Sequence, residues 1–142
     1  MTEETTLQQA GIAPAGWVLQ SHPQTFSAHA GPFYFREEGA PPGVGFFSEQ
    51  HHANLGGIVH GGALMTLADM SLFDICFRAA GRFAAVTVTM NSEFLSPAPL
   101  GEFIEATGEV MKAGRTTVFV RGVITAKEKA VLSFSGSLKR LS

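Results

Sequence analysis

Scarcity is informative in this chain. Its 142 residues hold one cysteine, one tryptophan, one tyrosine and only 15% charged side chains. The lone Cys76 excludes an intramolecular disulfide and fits a reducing compartment. It also makes a poor nucleophile inside an apolar stretch, because burial raises a thiol pKa. Ten Lys and Arg are scattered against twelve Asp and Glu, for a formal net charge of −2, so no nucleic-acid surface is expected. A few basic side chains remain available to one phosphorylated ligand. No apolar run escapes polar interruption for the length a spanning helix needs, since even the most hydrophobic stretch carries Thr66, Asp69, Ser71 and Asp74. The opening MTEETTLQQAG has neither the basic nor the apolar part of a secretory leader, and a soluble, cytoplasmic protein is expected.

What is present is core-forming: 45% hydrophobic residues, twelve of them Phe, with no repeat or linker that would split one domain. Residues 1–30 are weakly patterned and read as an N-terminal extension to a domain over 31–142. Short helical turns are expected around residues 6–10 and near Trp17, with Trp17, Val18 and Phe26 covering a core edge. Strands are expected over 33–37 and 44–49, joined by a Pro/Gly turn. A glycine-rich loop over 51–60 then feeds a helix over 62–80, which Gly81 ends. Period-two alternation follows over 86–94, 102–111, 116–126 and 129–139, with a turn at 112–114. The second half reads as an antiparallel meander, and the whole as an α+β domain of about six strands curled around one helix.

The helix is apolar on nearly every side and must be wrapped by protein. Asp69 sits in its middle with no Lys or Arg three or four residues away, where a carboxylate is costly unless paired, hydrogen-bonded or lining a cavity. Asp74 differs, because Arg78 stands four residues on and predicts an ordinary surface pair. Upstream, Gly61 and Gly62 open the helix, whose first N–H groups and dipole favour developing negative charge. Taken alone, the glycines suit a tight helix entry, His60 a backbone-bonded histidine, Asn54 a loop former and Thr87 a strand residue. Zinc ligation by His51, His52 and His60 is disfavoured, since adjacent histidines are awkward joint ligands and no cysteine is near. Together, donors at Asn54 and the helix start with an unpaired acid suit acyl transfer: a carbonyl polarised while water is driven at it. No G-x-S-x-G elbow or Ser or Cys triad competes.

Spacing adds a constraint. Eight residues of helix separate Gly61 from Asp69, about 12 Å at 1.5 Å per residue. One carbonyl and one water do not bridge that gap within a chain. Two antiparallel helices in a homodimer would close it, giving two sites at the interface.

The pattern H-x-N-x-x-G-x-x-H-G-G with an Asp further on, here His52, Asn54, Gly57, His60, Gly61, Gly62 and Asp69, resembles the hot-dog fold acyl-CoA thioesterases, particularly their phenylacetate-pathway (PaaI-like) branch. VTVTMNSEFLSPAPLGE at 86–102 continues the similarity, which runs over about 44–140. The resemblance implies a long helix gripped by a curved sheet, dimers that pair into tetramers, and hydrolysis of acyl-CoA to free acid and CoA without a cofactor or metal. Carried over, the Gly61 N–H polarises the thioester carbonyl with help from Asn54. Asp69 of the facing subunit acts as base or nucleophile, Thr87 stands where relatives place a water-positioning Ser, and His60 shapes the loop. Gly62, Leu64, Leu72 and Phe73 are expected around the acyl group, with Lys112 and Arg115 at the CoA phosphates. Two alternatives compete: a hydroxyacyl thioester dehydratase using His60 and Asp69, and a non-catalytic acyl-CoA binder.

Overall fold

The computed structural model describes residues 13–141. In chain order these form β1 (Trp17–Leu19), α1 (Phe26–Ala30), β2 (Tyr34–Arg36), β3 (Val44–Phe47), a 3-10 turn at Gln50–His52, α2 (Gly61–Ala80), β4 (Ala85–Phe94), β5 (Phe103–Ala113), β6 (Thr117–Ala126) and β7 (Lys129–Arg140). All strands join one antiparallel sheet in the order β1-β2-β3-β5-β6-β7-β4. The sheet curves around α2, which packs against β3 through β7.

Alternation along the strands explains the wrapping. Ile104, Ala106, Val118, Val120, Ile124, Leu132 and Leu138 point to the helix and are buried, as are Leu64, Leu67, Ala68, Leu72, Ile75 and Cys76 on α2. Helix and sheet approach most closely over glycines. A Cβ on Gly108 would sit 2.8 Å from Ile75 Cδ1, and one on Gly136 would sit 2.6 Å from Leu72 Cδ1. The helix begins where His60 Nδ1 accepts the Gly62 N–H at 2.7 Å, and it ends at Gly81 with φ 86°.

The six expected strands and the long helix are present with shifted ends, and Lys112 and Ala113 belong to β5 rather than to the turn after it. Four expectations need correction. Only β5, β6 and β7 form a meander; β4 pairs with β7 at the sheet's edge, and β5 lies between β3 and β6. The helix is the reason, because α2 carries the chain from β3 across the sheet to its far side. Residues 95–102 bring it back, and about 27 Å of extended chain suffices for three strand spacings of roughly 14 Å. Second, the residues near Trp17 form β1 rather than a helical turn. Trp17 is buried beside Phe103, Tyr34 and Phe47, so residues that read as an extension add a strand to the sheet. Third, Val18 and Phe26 are exposed, at 53% and 73%, and cover no core. Fourth, Asp74 and Arg78 are no surface pair, their side chains being 10% and 22% exposed. Asp74 accepts the Gly43 N–H, while Arg78 donates to the carbonyls of Arg36, Glu37 and Ala40, so together they pin the β2–β3 connection. Desolvation pushes the Asp74 carboxyl above its ordinary pKa despite Arg78. The turn expected at residues 6–10 lies outside the described residues.

Candidate active site

The loop before α2 folds on itself through Asn54. Its Oδ1 accepts the N–H groups of Gly56 and Ile58 at 2.9 and 3.2 Å, and its own N–H donates to the Ile58 carbonyl at 2.8 Å. Asn54 is therefore the loop former expected of the residue alone. Its Nδ2 group donates to nothing among the described residues, and that is the end left for a ligand.

At the helix start the two glycines differ. Gly62 gives its N–H to the His60 ring, and a Cβ there would crowd that ring at 3.0 Å, so Gly62 serves the cap. Gly61 keeps its N–H without an acceptor among the described residues and lies beside the Phe94 ring. A cavity of about 410 Å³ opens here, walled by Asn54, Gly61, Leu64, Phe94, Ser96 and Pro97. Two residues with a donor that no described residue accepts, and the dipole end of a twenty-residue helix, thus border one cavity.

Asp69 is half-buried two turns on and makes no ion pair with any described residue. Its Oδ1 accepts the Thr87 hydroxyl at 2.7 Å. The bond spans α2 and β4 and leaves Oδ2 for water. Asp69 is not among the walls of the Gly61 cavity, so one chain separates the donor pair from the acid pair, as the helical rise requires.

The remaining candidates sort by helix phase. Leu72 is fully buried over Gly136 and does not line the Gly61 cavity. Phe73 instead lines a second space of about 420 Å³ with Leu19, Phe35, Met70, Phe77 and Arg82. Sequence reasoning missed this space, although Met70, Phe73 and Phe77 carry the i, i+3, i+7 signal of one helix face. Lys112 and Arg115 are exposed at the β5–β6 hairpin. A depression of about 630 Å³ around Glu109, Arg121, Asn91 and Ser135 contains none of the motif residues.

Glu49, His51 and His52 place ligand atoms within 4.8 Å of one another. Their bonding argues against a metal. His52 Nδ1 accepts the Glu49 N–H at 2.9 Å, so Nε2 carries the proton donated to the Ala30 carbonyl at 2.6 Å. Both ring nitrogens are occupied, and burial pushes the His52 pKa below its ordinary value. His51 Nε2 is bonded to the Gly31 carbonyl. Cys76 is buried with its thiol pKa pushed up, as its position on the apolar helix suggested.

The thioesterase superfamily profile matches residues 56–133, which begins before the glycine pair and ends in β7. The chain belongs to the thioesterase superfamily. Among relatives, the Pseudomonas aeruginosa protein PA0474, which carries an esterase name, is 32% identical over 75% of this chain and 81% of its own length. Human acyl-coenzyme A thioesterase 13 is 37% identical over 62% of this chain, and the match spans 63% of that protein. Among solved structures, the Escherichia coli PaaI protein of the phenylacetic acid degradation operon superposes with a TM-score of 0.74. Its identity is 26%, and the match covers 84% of this chain and 86% of that one. These matches make the protein a hot-dog thioesterase of the PaaI type.

Proposed function

We propose that the protein hydrolyses acyl-CoA thioesters to the free acid and CoA. One observation carries the reading: among the described residues, a helix whose first glycine N–H is unclaimed beside a cavity, and whose middle bears a carboxylate with no cationic partner. In this mechanism the Gly61 N–H and Asn54 Nδ2 take the charge that develops on the thioester oxygen. Asp69, held by Thr87, removes a proton from water as the water attacks, and CoA leaves as the thiolate. Direct attack by Asp69 is the variant route. Membership of the superfamily and the acyl-CoA thioesterase name of a relative support this chemistry. Leu64, on the wall of the Gly61 cavity, stands beside the acyl group, and Lys112 and Arg115 meet phosphates.

A homodimer supplies the missing proximity. Among the described residues β4 ends the sheet with one side unpaired, and Val86 and Val88 on it are exposed. Two-fold pairing of this strand with a second copy would lay its Phe94 end, beside Gly61, against the partner's Ala85 end, where Asp69 of the partner subunit stands. We further propose that dimers pair into tetramers and work in the cytoplasm, which suits a single buried thiol. No helix among the described residues is long and apolar enough to cross a membrane. The dehydratase alternative has less support, because the His60 Nδ1 is spent on the helix cap.

The test is thiol release from butyryl-, octanoyl-, palmitoyl- and phenylacetyl-CoA by wild type and Asp69→Asn. Asn still accepts the Thr87 hydroxyl, so melting should hold while kcat/KM falls about 10²–10⁴-fold, the range of a positioned base. Full activity in Asp69→Asn would refute the mechanism. Absence of turnover by wild type would favour the binder.

A further inference from the structure

The cleft beside Phe73, about 420 Å³, is lined by neither Gly61, Asn54 nor Asp69. Its floor is one face of α2, where Met70, Phe73 and Phe77 rise over about 10 Å of helix. The Phe73 and Phe77 rings meet edge to face with centroids 5.9 Å apart, and Phe35 of β2 adds a third ring to the walls. Residues 19–22 form another wall, and their backbone is tied down. Leu19 pairs with Tyr34, the Gln20 N–H donates to the Phe33 carbonyl at 2.9 Å, and the His22 carbonyl accepts the Thr25 hydroxyl at 2.7 Å. The cleft is thus a built space between β1, β2 and the helix. Residues 19–22 and Phe35 all precede the span 56–133 shared with the superfamily.

One cation stands at the mouth. Gly81, at φ 86°, ends α2 and turns the chain so that Arg82 comes back over the last turn, its guanidinium 5.7 Å from the Phe77 centroid. Arg82 is exposed and makes no ion pair with a described residue. Asp74 lines the same cleft and feels the Arg82 charge, but both of its oxygens are spent. Oδ1 accepts from Arg78 and Oδ2 accepts the Gly43 N–H. A guanidinium at the edge of an apolar hollow offers a planar pair of donors to an anion that brings its own apolar body.

We propose that this cleft binds a free aryl carboxylic acid, its carboxylate on the Arg82 fork and its ring against Phe73 and Phe77. Charge decides the first half, because one guanidinium balances one carboxylate. The walls decide the second, because a ligand ring finds edge-to-face partners and the Met70 thioether there, contacts an alkyl chain does not use. Such acids are what the proposed hydrolysis would release from aryl thioesters. The site nevertheless stands or falls by itself, since holding an acid needs no turnover.

The probes are phenylacetate, its neutral analogue phenylacetamide, and hexanoate, titrated into protein carrying carbon-13 on its methionine methyls. Phenylacetate should shift the Met70 resonance, identified by its loss in Met70→Leu. Half-saturation is expected at roughly 1 mM, a strength within reach of about ten heavy atoms. Met111, exposed on β5, should not move. Arg82→Gln, at an exposed position, keeps the fold and should weaken phenylacetate about tenfold while leaving phenylacetamide within about twofold. Hexanoate should bind about threefold or more weakly than phenylacetate. Ser21→Phe, which fills the cleft and keeps Arg82, should abolish the Met70 response. Asp69→Asn should leave binding within about twofold, whereas an acid lodged against the catalytic carboxylate would bind more tightly once that charge is gone. No Met70 shift at about 10 mM phenylacetate overturns the proposal. So do amide or hexanoate binding that matches phenylacetate, phenylacetate binding that Arg82→Gln leaves unchanged, a Met70 response that survives Ser21→Phe, or a gain in Asp69→Asn.

Discussion

Thr87 offers a sharp test, because its hydroxyl meets Asp69 Oδ1 at 2.7 Å and Asp69 has no other polar partner among the described residues. Thr87→Val keeps the shape and the β preference while deleting the donor. A hydrogen bond to an ionised acceptor contributes about 1.5–3 kcal/mol. At 1.4 kcal/mol per factor of ten, losing it in the transition state costs roughly 10- to 150-fold in kcat/KM. The assay is a double-mutant cycle of wild type, Thr87→Val, Asp69→Asn and the double variant on one CoA ester. If Thr87 works by aiming the Asp69 carboxylate, its removal from Asp69→Asn should cost less than about threefold, since the group it serves is already gone. Thr87→Ser should stay close to wild type. The same large factor in both backgrounds would mean that Thr87 acts elsewhere, and no loss from Thr87→Val would remove it from the mechanism.

Two further outcomes follow from the same geometry. His60→Ala deletes the acceptor for the Gly62 N–H. It should cost about 1 kcal/mol and lower Tm by roughly 2–4 °C; an activity loss matching Asp69→Asn would instead make His60 a reacting group. His52 is held neutral by burial, with its folded pKa below the ordinary 6.5. As pH falls through that value the unfolded chain takes a proton that the fold resists. Stability is therefore full above it and declines below. The urea midpoint should drop between about pH 7 and about pH 5.5, and His52→Gln, though less stable at neutral pH, should drop less. An unchanged slope in that variant would exclude His52 as the cause.

Much of the fold is legible in local periodicity. Val86 to Phe94 alternates, α2 is apolar on nearly every side, and both statements concern neighbours in sequence. The position of β4 at the sheet edge is a statement about distant partners, and alternation is silent on it. Trp17–Leu19 is too short to show a period and becomes a strand only because β2 offers an edge. Asp74 and Arg78 announce their pairing by spacing, yet their burial depends on Gly43 and on carbonyls some forty residues away. In the site, Asp69 stands out because no cation accompanies it. Thr87 had only a resemblance to recommend it, and the structure puts its hydroxyl on Asp69. Leu72 and Phe73 look alike as letters, and helical phase sends one into the core and the other to a cavity.

The two glycines beneath α2 bear on alignment as well as fit. A rod lying on an even surface can creep or roll, and one turn of creep would carry an acid 5.4 Å past its mark. Here Ile75 and Leu72 drop into hollows at Gly108 and Gly136, so neither motion is open without lifting both side chains out. A proton handover tolerates far less misplacement than a hydrophobic contact does. The accuracy with which Asp69 meets β4 is therefore inherited from two places where the sheet has no side chain at all.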